Sequence, residues 1–238
     1  MPEKESTSFG IVPTYRCNMA CKDCNRFLDI LKWPDSDMSV RNLKKAANII
    51  SHSQFKPGRI RFTGGEPLLH PEIREMVNIV NEQWKPELRL VMFSNGAIKL
   101  KGRLPLRLNS TTPDEKKHRP YLISPADLGI ESTGGWKTYC HVKKGCGLLY
   151  DCYGFSFCVH AGAFGRLLRI DPYKQKPFKE GIEEICRHCI CSVAVSHRFK
   201  LQDAAMQGDF EYPTKTYREG IKAFKKKPFV FKRFEDRQ

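Results

Sequence analysis

The sequence contains no apolar run approaching the ~20 residues needed to cross a bilayer, so no membrane-embedded role or membrane partner is expected. Its first eight residues, Met1 to Ser8, lack the apolar core of a signal peptide, which makes the cytoplasm the expected location. Acidic side chains are scarce beside basic ones, 26 against 41, and the formal charge is +15. Such a balance suits a polyanionic or phosphorylated partner and equally suits simple solubility. No internal repeat of significance is present. With 238 residues and a hydrophobic fraction of 40%, the chain is long enough for one α/β domain, or a domain with a small appendage.

What the sequence does have is cysteine, ten in all. Without secretion, disulfides are not expected, and reduced cysteines at short intervals point to metal. Three of them, Cys17, Cys21 and Cys24, are spaced C-x3-C-x2-C. Three thiolates can hold three irons of a cubane cluster and leave the fourth iron open to a ligand. The spacing alone also allows zinc.

The first half alternates strand with helix. Phe9 to Val12 reads as a strand leading into the cysteine loop. Val40, Leu43, Ala46, Ala47 and Ile50 recur at helical spacing, with Ser36 or Asp37 as the expected cap. Arg59 to Phe62 is a second strand ending at Gly64-Gly65, and Pro71 opens a second helix carrying Ile73, Met76, Val77, Val80 and Trp84. Leu88 to Phe93 is a third strand. Arg103 to Leu108 alternates like a fourth, with Pro105 consigning it to an edge. Such alternation implies a parallel sheet with right-handed crossovers. Residues 132–191 are dominated by glycine and cysteine and are expected to form a thin-cored region ordered by metal. The division expected is 1–131 as the barrel-like core, 132–191 as the cysteine-rich extension, and 192–238 as a helix and basic aromatic tail.

Residues 215–238 carry nine Lys or Arg against three acids, interleaved with Phe224, Phe229, Phe231 and Phe234. One reading is a grip on a nucleic-acid backbone or a peptide. The other is an aromatic-anchored tail packed on the domain with its charges in water.

Cys17, Cys21 and Cys24, followed some forty residues later by Phe62-Thr63-Gly64-Gly65-Glu66-Pro67, resemble the radical S-adenosylmethionine (radical SAM) enzymes. The resemblance covers residues 9–110. It implies an α/β partial (β/α) barrel, TIM-like, of about four to six units, with a small cysteine-rich C-terminal extension. It also implies a 4Fe–4S cluster on the triad, whose open iron chelates S-adenosylmethionine. Gly64 and Gly65 would let the backbone approach the methionine end, since neither has a side chain in the way, while Glu66 and Pro67 shape the turn. Ser94 and Asn95 would lie beside the cofactor, and Asn109 and Ser110 near its ribose. The family usually has an aromatic residue before the third cysteine. Here it is Asp23.

Cys140 and Cys158, with Gly154 shortly before the second, and then Cys186-x2-Cys189 resemble the "twitch" extension of some radical SAM enzymes, which binds an auxiliary 4Fe–4S cluster. A four-cysteine zinc staple is the other reading. Cys146, Cys152 and Cys191 are left over as small buried hydrophobes, although any of them could replace an assigned ligand. His118 and Asp151 are the candidate catalytic proton acceptors, with Glu131 and His160 as further possibilities.

The resemblance implies an oxidoreductase. A radical would take hydrogen from a carbon of a small polar substrate, and the auxiliary cluster would accept an electron in a net two-electron dehydrogenation. A reduced flavodoxin- or ferredoxin-type protein would supply the starting electron. Radical modification of a peptide, nucleotide or RNA is the alternative enzyme reading. A non-catalytic iron–sulfur or zinc protein that binds nucleic acid is the alternative from another class.

Overall fold

The computed structural model describes residues 5–33, 36–84, 89–110, 119–131 and 140–237. The elements of the first half are β1 (Glu5–Ile11), α1 (Val40–Ser51), β2 (Phe55–Phe62), α2 (Ile73–Trp84), β3 (Arg89–Ser94) and β4 (Arg107–Ser110). They are followed by α3 (His141–Cys146), β5 (Leu148–Asp151), β6 (Gly154–Ser156), α4 (Ala161–Leu168), α5 (Glu183–His188), α6 (Val195–Gln207) and α7 (Lys215–Lys226). Among the described residues no helix is long and apolar enough to cross a membrane.

The strands form one sheet in the order β4-β3-β2-β1-β5-β6, parallel throughout except for β6, which pairs antiparallel with β5. A parallel-dominated sheet of this kind is compatible with a partial (β/α) barrel. Its order, however, departs from a barrel continued in sequence, in which β5 would extend the sheet beyond β4. Here β5 returns to the other side of β1. β4 is a poor template for further growth, being four residues long with none of its residues buried. On the far side of β1, Leu148, Leu149 and Tyr150 are all buried against Phe9, Gly10 and Ile11. Apolar burial therefore favours that edge.

One face of the sheet carries Phe9, Ile11, Ile60, Phe62, Leu90 and Met92, all buried. Tyr150 lies in register with Ile11 and donates its hydroxyl to the Asn42 carbonyl of α1 at 3.0 Å, so this is the face against α1. The apolar stripes expected on α1 and α2 supply the other half of that layer: Leu43, Ala46, Ala47 and Ile50, then Ile73, Met76, Val77 and Val80.

The cap of α1 is corrected by the structure. Ser39, not Ser36 or Asp37, accepts from the Asn42 N–H at 3.2 Å. Ser36 and Asp37 are occupied elsewhere. Ser36 Oγ accepts from Tyr15 N at 3.3 Å, and Asp37 accepts from Thr14 and Arg16.

The cysteine-rich stretch does not have a thin core of its own. Through β5 and β6 it joins the main sheet, and Tyr150, Tyr153, Phe155, Phe157 and Phe164 are each exposed by 2% or less. Phe224, Phe231 and Phe234 of the tail are buried, and Phe229 packs against the same core. Phe234 meets Tyr150 and Phe155 edge-on and donates its N–H to the Cys152 carbonyl. Arg237 is held by the carbonyls of Tyr153 and Tyr173 and by Asp171.

Candidate functional site

β1 ends at Ile11, and the chain runs directly into the triad loop. Three tethers fix its entry. The Arg16 guanidinium forms a fork on Asp37, at 3.0 and 2.7 Å, and also donates to the Leu69 carbonyl. Thr14 donates to Asp37. The turn after β2 lies alongside, with Gly65 N–H donating to the Thr14 carbonyl at 3.1 Å and Glu66 N–H to the Arg16 carbonyl at 2.8 Å.

That pairing explains the two glycines. A Cβ on Gly65 would sit 2.1 Å from the Arg16 carbonyl oxygen, and one on Gly64 would sit 2.5 Å from that of Thr14. Gly64 also has a φ of +132°, which L side chains rarely adopt. The chain's own backbone occupies the space a side chain would need.

Glu66 is fully buried and serves as the anchor of the site. One carboxylate oxygen accepts from Leu68 N–H at 3.0 Å, capping a short 3-10 turn opened by the buried Pro67. The other accepts from the Ser94 hydroxyl at 3.1 Å and from Asn95 N–H at 2.7 Å. Asn95 in turn directs its side-chain amide at Cys17 Sγ, 3.9 Å away, and at Asn18 Oδ1, 2.7 Å away. Gly64, Gly65, Glu66, Pro67 and Asn95 are thus gathered at the triad. Ser94 is near it but turned to Glu66. Asn109 and Ser110 stand at the end of β4 with no hydrogen bond to the triad loop among the described residues.

Cys17, Cys21 and Cys24 form no disulfide and are all half-buried. Burial pushes the Cys17 thiol up. Asp23, between the second and third cysteines, has a φ of 58° and accepts from the Tyr212 hydroxyl. A ring from the C-terminal part of the chain therefore stands beside a position where an aromatic residue was expected in sequence. Spacing gave no signal of it.

The second set converges as well. Cys140, Cys158, Cys186, Cys189 and Cys191 line one cavity, together with Val142, Phe157, His160, Ala161, Phe164, Ile185 and Ser192. The loop carrying Cys189 and Cys191 is tightly wound: Cys191 N–H points at Cys189 Sγ at 3.4 Å, and Cys140 Sγ lies 3.6 Å from the Cys191 carbonyl. Burial pushes the Cys158 thiol well up, whereas the Cys189 thiol and the Arg198 guanidinium hold Cys191 below its ordinary range. Cys191, left over by spacing, belongs to this cavity. The Cys189-x-Cys191 pattern was the available signal. Cys152 is in the core, fully buried, and Cys146 ends α3.

Among the described residues no three cysteines, histidines or carboxylates converge closely enough to hold a single metal ion. A zinc staple needs four sulfurs about 2.3 Å from one centre. A cubane is held at separate corners, so thiols ringed around a cavity fit it better.

Of the candidate proton acceptors, His118 lies outside the described residues. Glu131 is exposed and His160 lines the cysteine cavity. Asp151 is corrected. It has no exposure and accepts from the hydroxyls of Tyr15 at 2.6 Å and Tyr173 at 2.7 Å, and from Tyr153 N–H at 2.8 Å. Burial pushes its carboxyl up to about 6. It is a joint of the aromatic core, closed to a substrate.

Residues 11–115 match the Radical SAM superfamily. Over that segment the chain is similar to radical SAM proteins. Over 74 residues the chain is 35% identical to the "Probable GTP 3′,8-cyclase" of Methanothermobacter marburgensis, a match covering 31% of this chain and 23% of that protein. The chain thus spans less than a quarter of that relative's length. Among solved structures, BtrN in complex with AdoMet and 2-DOIA matches at 24% identity, with a TM-score of 0.35, over 41% of this chain and 39% of that one. Streptococcus suis SuiB bound to S-adenosylmethionine matches at 13% identity, with a TM-score of 0.30, over 41% of this chain and 20% of that one. The matched segment begins at the last residue of β1 and contains the whole triad loop, the glycine turn and β2 to β4.

Proposed function

We propose that this chain is a radical SAM oxidoreductase with an auxiliary 4Fe–4S cluster, removing hydrogen from a carbon of a small polar substrate in a net two-electron oxidation. The observation that carries the reading is the pair of cysteine sets: a triad bound to the glycine turn and Asn95, and a cavity lined by five more. When bound, the triad's cluster and S-adenosylmethionine supply a carbon radical able to abstract hydrogen.

The chain's own residues do the positioning. Cys17, Cys21 and Cys24 would hold the first cluster. Gly64 and Gly65, packed against the Thr14 and Arg16 carbonyls, hold bare backbone at the triad loop, where the methionine end would lie. Glu66 holds the turns after β2 and β3 at a fixed separation, and Asn95 presents an amide to Cys17. Cys140, Cys158, Cys186 and Cys189 would hold the second cluster in an apolar wall of Val142, Phe157 and Phe164, which excludes water. A reduced flavodoxin- or ferredoxin-type protein would donate the electron, and the cytoplasm is the proposed compartment.

Anaerobically reconstituted protein given S-adenosylmethionine and dithionite should release 5′-deoxyadenosine, and should contain about eight irons and eight sulfides per chain. Absence of 5′-deoxyadenosine would overturn the radical reading. Zinc without sulfide would favour the non-catalytic one. Radical chemistry on a nucleotide is a second reading, drawing on the 74-residue similarity to the probable GTP cyclase.

A further inference from the structure

The face of the sheet opposite α1 and α2 is basic where it crosses β2, β3 and β4. Parallel register pairs Arg59 with Arg89, and sets Arg61 beside Val91 and Val91 beside Arg107. Register partners project to the same side of a sheet, so the four arginines share one face in two rows. In the upper row, Arg61 and Arg107 start two strands apart, about 10 Å. One step further towards the strand ends, Phe93 stands beside Asn109. Phe93 is 39% exposed, unusual for a ring within a sheet.

Several arginines elsewhere in the chain are paired with acids. Arg16 forks onto Asp37, Arg119 meets Asp203, and Arg237 meets Asp171. Among the described residues the guanidinium groups of Arg59, Arg61, Arg89 and Arg107 make no hydrogen bond or ion pair. Arg61 goes further: its Nη1 is buried with no partner. Like charges directly opposite across strands destabilise a sheet, and a buried charged donor without an acceptor does so again. The second of these costs is relieved by one kind of ligand, an anion lying across the upper row, where Arg61 and Arg107 flank Val91.

We infer that this face binds the phosphate group of a small phosphorylated substrate, between Arg61 and Arg107. The rest of the substrate then lies over Phe93 towards the triad. The path is short in sequence and space: Phe93 is two residues before Asn95, whose side-chain amide reaches Cys17 Sγ. Arginine suits phosphate because its planar fork donates two parallel hydrogen bonds. Inferring a substrate here rests on the radical reading of the triad. The phosphate site itself can be tested without it.

The probe is pyrophosphate, titrated calorimetrically into the reconstituted full-length protein at low ionic strength. Wild-type protein should bind it, and Arg61→Gln with Arg107→Gln should weaken binding by about a hundredfold, roughly tenfold for each lost fork. Arg107 is exposed on an edge strand, so Arg107→Gln alone leaves the fold least disturbed and should weaken binding about tenfold. Lys225→Gln with Lys226→Gln removes equal charge from the end of α7 and should leave binding unchanged. No binding by wild type, wild-type affinity in both arginine variants, or an equal loss in the lysine variant would each overturn the inference. Pyrophosphate binding without 5′-deoxyadenosine formation would leave the phosphate site standing and overturn the radical reading. The converse would overturn the phosphate site and leave the radical reading standing.

Discussion

The buried Glu66 carboxylate accepts the backbone N–H of Asn95 at 2.7 Å, so the turn after β2 and the turn after β3 share one anchor. Through Asn95 that anchor reaches Cys17, and through its own N–H it reaches the carbonyl of Arg16. Glu66→Gln keeps the shape but replaces one acceptor oxygen with a donor, leaving Leu68 or the Ser94–Asn95 pair unmatched. The expected cost is about 1–3 kcal/mol of stability. S-adenosylmethionine binding should weaken about tenfold as the two turns separate. Thermal melts and equilibrium binding measure both. Unchanged affinity would show that the anchor does not serve the cofactor.

Gly65→Ala places a methyl group 2.1 Å from the Arg16 carbonyl oxygen, which no rotamer relieves because the obstacle is backbone. The triad loop must move. Iron content should fall from about eight to about four per chain, with the second set still loaded. Gly145→Ala is the control: its added carbon meets nothing within 4 Å, and in α3 alanine should stabilise by up to about 1 kcal/mol.

Cysteine replacements divide the second set. Alanine at Cys140, Cys158, Cys186 or Cys189 should each remove about four irons and leave the triad loaded. Alanine at Cys152, a core residue, should lower the melting temperature and leave iron unchanged. Cys191 is the informative case. Its N–H points at Cys189 Sγ, the kind of amide contact that supports a cluster thiolate. Cys189→Ala should therefore lose the cluster and Cys191→Ala keep it. The reverse result would transfer the fourth position to Cys191.

Asp151 gives a pH signature. Burial raises its carboxyl from the usual 3.8 to about 6, so the folded protein favours the protonated form. The contribution to stability is fully present below pH ~4 and is lost as pH rises through about 6, on the order of 2–3 kcal/mol. Asp151→Asn cannot titrate, and the Tyr15 and Tyr173 hydroxyls can turn to accept from its amide. Melting temperatures of wild type should therefore fall relative to Asp151→Asn between pH 4 and 6. Parallel profiles would show that the carboxyl titrates in its ordinary range.

The helices of the first half were legible because each buries one stripe of a regular period, so Leu43, Ala46, Ala47 and Ile50 declare their face without a partner in view. The triad and the glycine turn were legible because their chemistry is concentrated in consecutive residues. Asp151 was only a candidate in the string, because a lone carboxylate carries no local sign of its partners. Only folding shows that two tyrosines, 136 and 22 residues away in sequence, enclose it.

The sequence by itself determined two local matters: a three-thiol loop after a strand, and a turn that admits only glycine. Both depend on residues close in the chain. The tertiary structure decided the rest, because it depends on which strand lies beside which. It placed β5 next to β1 instead of β4, brought Cys191 into the cavity of Cys140 and Cys158, and set Arg61 and Arg107 on one face. Strand register is fixed by apolar burial summed over the whole sheet, and no local pattern encodes it.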